Sequence, residues 1–170
     1  GDIEASDTFM NFQLGWYAHA IFVDGKYPEV MRSKIDDKSE QQGFEESRLP
    51  QSTDDESTLI KGSSDFLGIN FYTSNVVFPQ NGDINDVSFY SDQDVGSYQD
   101  DTWFAAGSSW LKVTPWGIRQ TLLWASKNYN HPDIYVTENG FSDRLGNLDD
   151  LQRYSTTICN THVNIVKHIL

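Results

Sequence analysis

The chain has 170 residues, with 12 Lys and Arg against 25 Asp and Glu, a net charge of −13. A surface this acidic argues against nucleic acid and anionic membranes as partners and suits a neutral or cationic small molecule. A single cysteine, Cys159, excludes an internal disulfide or a cysteine metal cluster, and no run of about 18 apolar residues marks a membrane span.

The chain opens at Gly1 directly into helical sequence and stops at Leu170 inside a helical pattern, so it reads as an internal piece of a longer protein. Residues 4–20 predict an amphipathic helix, with Ala5, Phe9, Phe12 and Trp16 on one face. Gly25 and Pro28 mark a turn. A short helix is expected over 29–39, a loop over 40–52, and a second short helix over 54–61 that opens on acidic residues and stops at Gly62. Residues 65–73, DFLGINFYT, form a continuous apolar run with a polar tail, as a strand covered on both faces would.

Residues 75–113 are polar and show little periodicity. A loop of that length is usually functional or disordered, and Trp103 and Trp110 argue against disorder. Thr114 and Pro115 read as an N-cap and first helical position, and Ile118, Leu122, Ala125 and Tyr129 place one stripe on the helix that follows. His131-Pro132 ends it. Residues 133–138, DIYVTE, predict a second buried strand closed by Asn139-Gly140, and 149–169 a last helix carrying Cys159. Strands alternating with such helices predict an α/β chain with a parallel sheet, doubly wound or barrel.

Side chains alternate along a strand, so Phe66, Gly68, Asn70 and Tyr72 are expected on one face, and Ile134, Val136 and Glu138 on one face of the second strand. Polar residues at the C-terminal ends of parallel strands are where α/β enzymes place their sites, which makes Glu138, Asn70 and Tyr72 candidates. A Glu that merely emerges into solvent is the competing reading; the polar pair on the neighbouring strand and the sharp Asn139-Gly140 turn favour a site. The histidines show no i, i+4 pair and no accompanying carboxylate motif, so no metal site is expected.

Four segments then resemble glycoside hydrolase family 1, in that family's order: FQLGWYAHAIFVDGKYPEVM at 12–31, DFLGINFYTS at 65–74, SSWLKVTPWGIRQ at 108–120 and IYVTENGFSD at 134–143. The likeness extends over essentially all 170 residues; His19-Ala20 departs from the Asp-Pro of many members. The resemblance implies part of a TIM (β/α)8 barrel, from the helix after strand 5 through strands 6 and 7 to the helix after strand 7, with residues 1–170 lying within a single barrel domain. It implies hydrolysis of β-glycosides with retention, with Glu138 as nucleophile, Tyr72 donating to it, Asn70 on the sugar 2-hydroxyl and Trp110 on the leaving-group side. Trp110 as a plain core residue is an equal competitor. No metal or organic cofactor is implied, and the partner is a small-molecule β-glycoside. The family's acid/base Glu, in an Asn-Glu-Pro motif, has no counterpart here, so the piece alone is expected to be inactive. The resemblance also covers klotho-like co-receptors with a dead site and myrosinase-type thioglucosidases, which that motif would separate.

Overall fold

The computed structural model describes residues 2–143; the expected helix over 149–169 and Cys159 lie outside them. The described residues form two compact units, the first from residues 2–65 and 76–98, the second from residues 66–75 and 99–143.

In the first unit, α1 (Ile3–Met10) and α2 (Trp16–His19) belong to one helical run interrupted by wide π-helical turns at Asn11–Gly15 and Ala20–Asp24. The Asp2 carboxylate accepts from the Ala5 N–H at 3.0 Å and so caps the run. The wide turns rotate the stripe: Ala5, Thr8, Phe12, Gly15 and Ala18 are buried, while Phe9 and Trp16, expected on that face, are half-buried. Gly25 ends the run with φ 81°, and a Cβ there would run into the Ser57 backbone. α3 (Glu29–Gln41) packs Met31 and Ile35 with Phe12 and Leu49 into one core, flanked by Trp16, Tyr27 and Phe89. Phe12 and Met31 are each 1 % exposed, and burying such side chains contributes roughly 1.5–3 kcal/mol apiece. α4 (Asp54–Ile60) opens on a capping box, in which the Thr53 side chain accepts from the Glu56 N–H and the Glu56 carboxylate accepts from the Thr53 N–H.

Residues 75–113 are more ordered than their composition predicts. They hold β2 (Val76–Pro79), the one-turn α5 (Phe89–Asp92) and β3 (Val95–Tyr98), with β2 and β3 antiparallel. Two ion-pair sites join α3 and the chain after it to this segment. Arg48 grips Asp92 with both terminal nitrogens, at 2.9 and 2.7 Å. Asp94, held at φ 52°, accepts from Lys38 at 2.6 Å, from Lys34 at 3.0 Å and from the Gly82 N–H at 2.9 Å. Burial works to raise the Asp94 carboxyl, but the bonds from Lys38, Gly82 and Lys34 outweigh it and hold it below its ordinary value.

The second unit is a parallel pair joined by a crossover, as predicted. β1 (Leu67–Asn70) pairs with β4 (Ile134–Glu138), and α6 (Pro115–Asn128) lies between them in the chain. The α6 stripe is as expected: Ile118, Leu122, Ala125 and Tyr129 are 1, 7, 0 and 2 % exposed. Thr114 does stand at the N-cap with Pro115 next, but its side chain makes no capping hydrogen bond.

The strands are shorter than predicted and, among the described residues, covered on one face only. Leu67 and Ile69 are buried, whereas Gly68, Asn70 and most of β4 are exposed. β1 and β4 pair only with each other among these residues, so an apolar run that predicted two covered faces has one of them open.

Candidate active site at the ends of two parallel strands

The register of β1 on β4 decides where Glu138 points. Leu67, Gly68 and Ile69 pair with Ile134, Tyr135 and Val136, and then Asn70 pairs with Glu138, skipping Thr137. Before the shift, Tyr135 and Thr137 lie on the face of Phe66, Gly68 and Asn70. The Phe66 and Tyr135 rings meet at 5.1 Å, and a Cβ on Gly68 would sit 3.2 Å from the Thr137 methyl. Strict alternation would therefore carry Glu138 to the opposite face, with Ile69 and Val136. The irregularity removes one step and brings its carboxylate back to the Asn70–Tyr72 side.

There the Tyr72 hydroxyl donates to Glu138 Oε2 at 2.8 Å. This hydrogen bond, followed by desolvation and the carboxylate charge, pushes the Tyr72 phenol above its ordinary value. The phenol therefore keeps its proton, and its donor role, through the neutral range. Next to it, the hydroxyl of Thr137, one residue before Glu138, donates at 2.7 Å to Oδ1 of Asn70, two residues before Tyr72. The Asn139 side chain donates to the Phe71 carbonyl at 2.7 Å, and the Phe71 N–H to the Glu138 carbonyl at 3.0 Å, so the two strand ends are pinned on both sides of the carboxylate.

Trp110 completes the cluster. It stands edge-on to the Tyr72 ring, with centroids 5.9 Å apart and an interplanar angle of 76°, and is 55 % exposed. The alternative of a core tryptophan is therefore not what the described residues show. Its backbone lies in a tight turn, where the Leu111 N–H bonds the Ser108 carbonyl at 3.2 Å, at the tip of a narrow ribbon. The ribbon is closed by Ala106 N–H to the Leu111 carbonyl and Val113 N–H to the Phe104 carbonyl, both at 2.9 Å. Beyond β4, the Ser142 carbonyl accepts from the Gly107 N–H and its hydroxyl from the Ser108 N–H, each at 2.7 Å. Gly107 allows this approach, because a Cβ would strike the Asp143 carbonyl.

The four residues expected at a site, Glu138, Asn70, Tyr72 and Trp110, thus converge on one exposed corner of the second unit. A model of the family described as Glycosyl hydrolase family 1 matches residues 1–170. The chain belongs to glycosyl hydrolase family 1. The human lactase/phlorizin hydrolase is 45 % identical over 169 residues, which is 98 % of this chain and 9 % of that protein. An aphid myrosinase structure is 32 % identical and superposes with a TM-score of 0.79 over 95 % of this chain and 35 % of its own. A rice β-glucosidase mutant in a covalent complex with glucose is 29 % identical, with a TM-score of 0.81 over 96 % of this chain and 34 % of its own.

The chain thus carries part of an α/β barrel of a glycosidase family and spans about a third of each solved relative. No helix among the described residues is long and apolar enough to cross a membrane. Three polar residues of the corner were missed in the sequence. Thr137 sits inside the Thr-Glu-Asn-Gly segment and could have been weighed with it. Thr73 lies beside Tyr72, and Gln99 lies in a stretch without periodicity; neither carries a local signal of its role.

Proposed function

We propose that residues 1–170 are part of a single barrel domain whose parent protein hydrolyses β-glycosides with retention of configuration, with Glu138 as nucleophile. The observation that carries this is the Tyr72–Glu138 hydrogen bond of 2.8 Å at the C-terminal ends of two parallel strands. In the first step a Glu138 oxygen bonds to the anomeric carbon as the glycosidic C–O bond breaks, and a second carboxyl group protonates the leaving oxygen. In the second step that group takes a proton from water, the water oxygen bonds to the anomeric carbon, and Glu138 departs as carboxylate. The two carboxyl groups of such enzymes stand about 5–5.5 Å apart. The Asn-Glu-Pro motif expected to supply the second does not occur in this sequence, so the 170 residues alone are expected to be inactive. The covalent glucose complex of the rice relative supports a covalent route.

Around that chemistry, Tyr72 donates to the carboxylate and stabilises its charged form. Thr137 occupies Asn70 Oδ1 and turns the amide's N–H side toward the sugar 2-hydroxyl, a contact that strengthens in the transition state. Trp110 offers an exposed aromatic face to the leaving group. The ordered Glu138–Tyr72 pair favours this reading over a co-receptor with a dead site.

The test is the configuration of the first-formed product, followed by NMR as the intact parent hydrolyses an aryl β-glucoside. The β anomer should appear first and mutarotate slowly; α anomer appearing first contradicts the proposal. In the same protein Tyr72→Phe should lower kcat by about 10–100-fold, the worth of a hydrogen bond to a charged group, with little change in substrate affinity. An unchanged kcat would remove Tyr72 from the mechanism.

A further inference from the structure

Between the Tyr72 segment and the Trp110 ribbon lies a hydrogen-bond clamp that none of the chemistry above uses. Gln99 Nε2 donates to the Thr73 hydroxyl oxygen at 3.0 Å and to the Trp110 carbonyl at 2.9 Å, with a longer approach of 3.4 Å to the Ser74 carbonyl. Thr73 Oγ1 in turn donates to the Lys112 carbonyl at 2.9 Å and accepts from the Lys112 N–H at 3.2 Å. A hydroxyl has one proton and two lone pairs. Thr73 spends all three, two of them on both backbone groups of one ribbon residue. The amide of Gln99 likewise commits both its N–H groups, one to each side of the gap.

The geometry points to Gln99 and Thr73 as the positioning residues that set Trp110 over Tyr72 and so determine which leaving groups the site accepts. This rests on the reading of Trp110 as the leaving-group platform. Trp110 is 55 % exposed, so packing alone does not immobilise it. Its backbone carbonyl is held by Gln99, and the backbone two residues on is held by Thr73. An aromatic platform gains affinity by being fixed before the ligand arrives, since a loose one loses conformational freedom on binding. The clamp touches neither Glu138 nor Asn70. Its effect is therefore confined to steps in which a leaving group or an acceptor occupies the platform.

The intact parent is compared with Gln99→Leu, which removes both N–H donors at similar length, with Thr73→Val, and with Thr73→Ser, which keeps the hydroxyl. Two quantities are read. One is the ratio of kcat/KM for an aryl β-glucoside to that for methyl β-glucoside. The other is the rate at which a trapped 2-fluoroglucosyl enzyme is released by water and by an aryl glucoside acceptor. Gln99→Leu and Thr73→Val should each lower the aryl-to-methyl ratio about tenfold, the effect of losing a hydrogen bond or two. They should slow release by the acceptor and leave release by water unchanged, while Thr73→Ser keeps the parent ratio.

Equal losses on both glucosides, or slowed release by water, would mean a general structural role and overturn the inference. Trp110→Ala separates the inference from its footing. If that variant loses the aryl preference and Gln99→Leu does not, the clamp is wrong and the platform stands. If Trp110→Ala keeps the preference, the platform reading fails first. Turnover of neither glucoside by the unaltered parent contradicts the proposed function itself.

Discussion

Glu138→Gly in the intact parent should reduce hydrolysis of an aryl β-glucoside by at least about 10,000-fold, because a covalent nucleophile has no partial substitute. The same variant should regain turnover in azide and release the α-glycosyl azide. Azide fills the space left by the carboxylate and attacks the anomeric carbon from the face Glu138 would have used. Glu138→Gln, of nearly the same shape but with a neutral, weakly nucleophilic amide, should be equally inactive and gain nothing from azide. The two variants together separate loss of the nucleophile from loss of the pocket. A Glu138→Gln protein with near-normal turnover would remove this residue from the chemistry.

The second large effect lies far from the chemistry in kind. Asp92→Ala should destabilise the first unit by about 3–5 kcal/mol, because it strands the Arg48 guanidinium among buried neighbours. The pair is well covered, with side-chain exposures of 14 % for Arg48 and 6 % for Asp92. The hydrogen bond to Asp92 is also the main reason the guanidinium pKa is raised, against burial that lowers it. The less covered i, i+4 pair Arg32–Asp36, with side-chain exposures of 23 and 43 %, is a useful contrast, since helix-surface pairs at that spacing contribute roughly 0.3–0.5 kcal/mol. Thermal unfolding of the parent should therefore fall sharply in Asp92→Ala and clearly less in Asp36→Ala, which loses the Arg32 pair and the Ser47 hydroxyl bond but strands no well-covered charge. Arg48→Met combined with Asp92→Leu should recover much of the loss, since apolar replacement of both partners leaves no stranded charge. Equal shifts for Asp92→Ala and Asp36→Ala would show that burial of the ion pair is not what matters.

The parts of this chain that its sequence made readable are those set by local periodicity and local caps. The α6 stripe from Ile118 to Tyr129 is buried residue for residue, because a 4, 3, 4 spacing leaves a helix one way to face a core. The crossover from β1 to a parallel β4 followed from strand and helix lengths alone. What escaped was set by backbone bonds that a regular helical or strand period does not encode. The π-helical turns after Met10 and His19 shift the inner face of the first helical run from Phe9 and Trp16 toward Thr8, Gly15 and Ala18. A reading at 3.6 residues per turn has no access to that. β2, β3 and the Trp110 ribbon hid in a polar stretch because backbone bonds to distant residues, rather than apolar patterning, hold them.

At the site the same division holds. Glu138, Asn70 and Tyr72 were legible as polar residues at strand ends. The face on which Glu138 lies was not, because the register skips Thr137. Alternation along β4 alone gives the wrong side, and one irregular step in pairing restores the right one. Gln99 was invisible for a related reason: its partners are 11 or more residues away in the chain.

The direct measurement is to incubate the intact parent with an activated 2-deoxy-2-fluoro-β-glucoside, digest it and locate the added mass. The electron-withdrawing fluorine slows the second step more than the first is slowed with a good leaving group, so the covalent intermediate accumulates. One fluoroglucosyl unit, bonded through an ester to Glu138, is expected. An adduct on any other carboxylate would contradict that assignment.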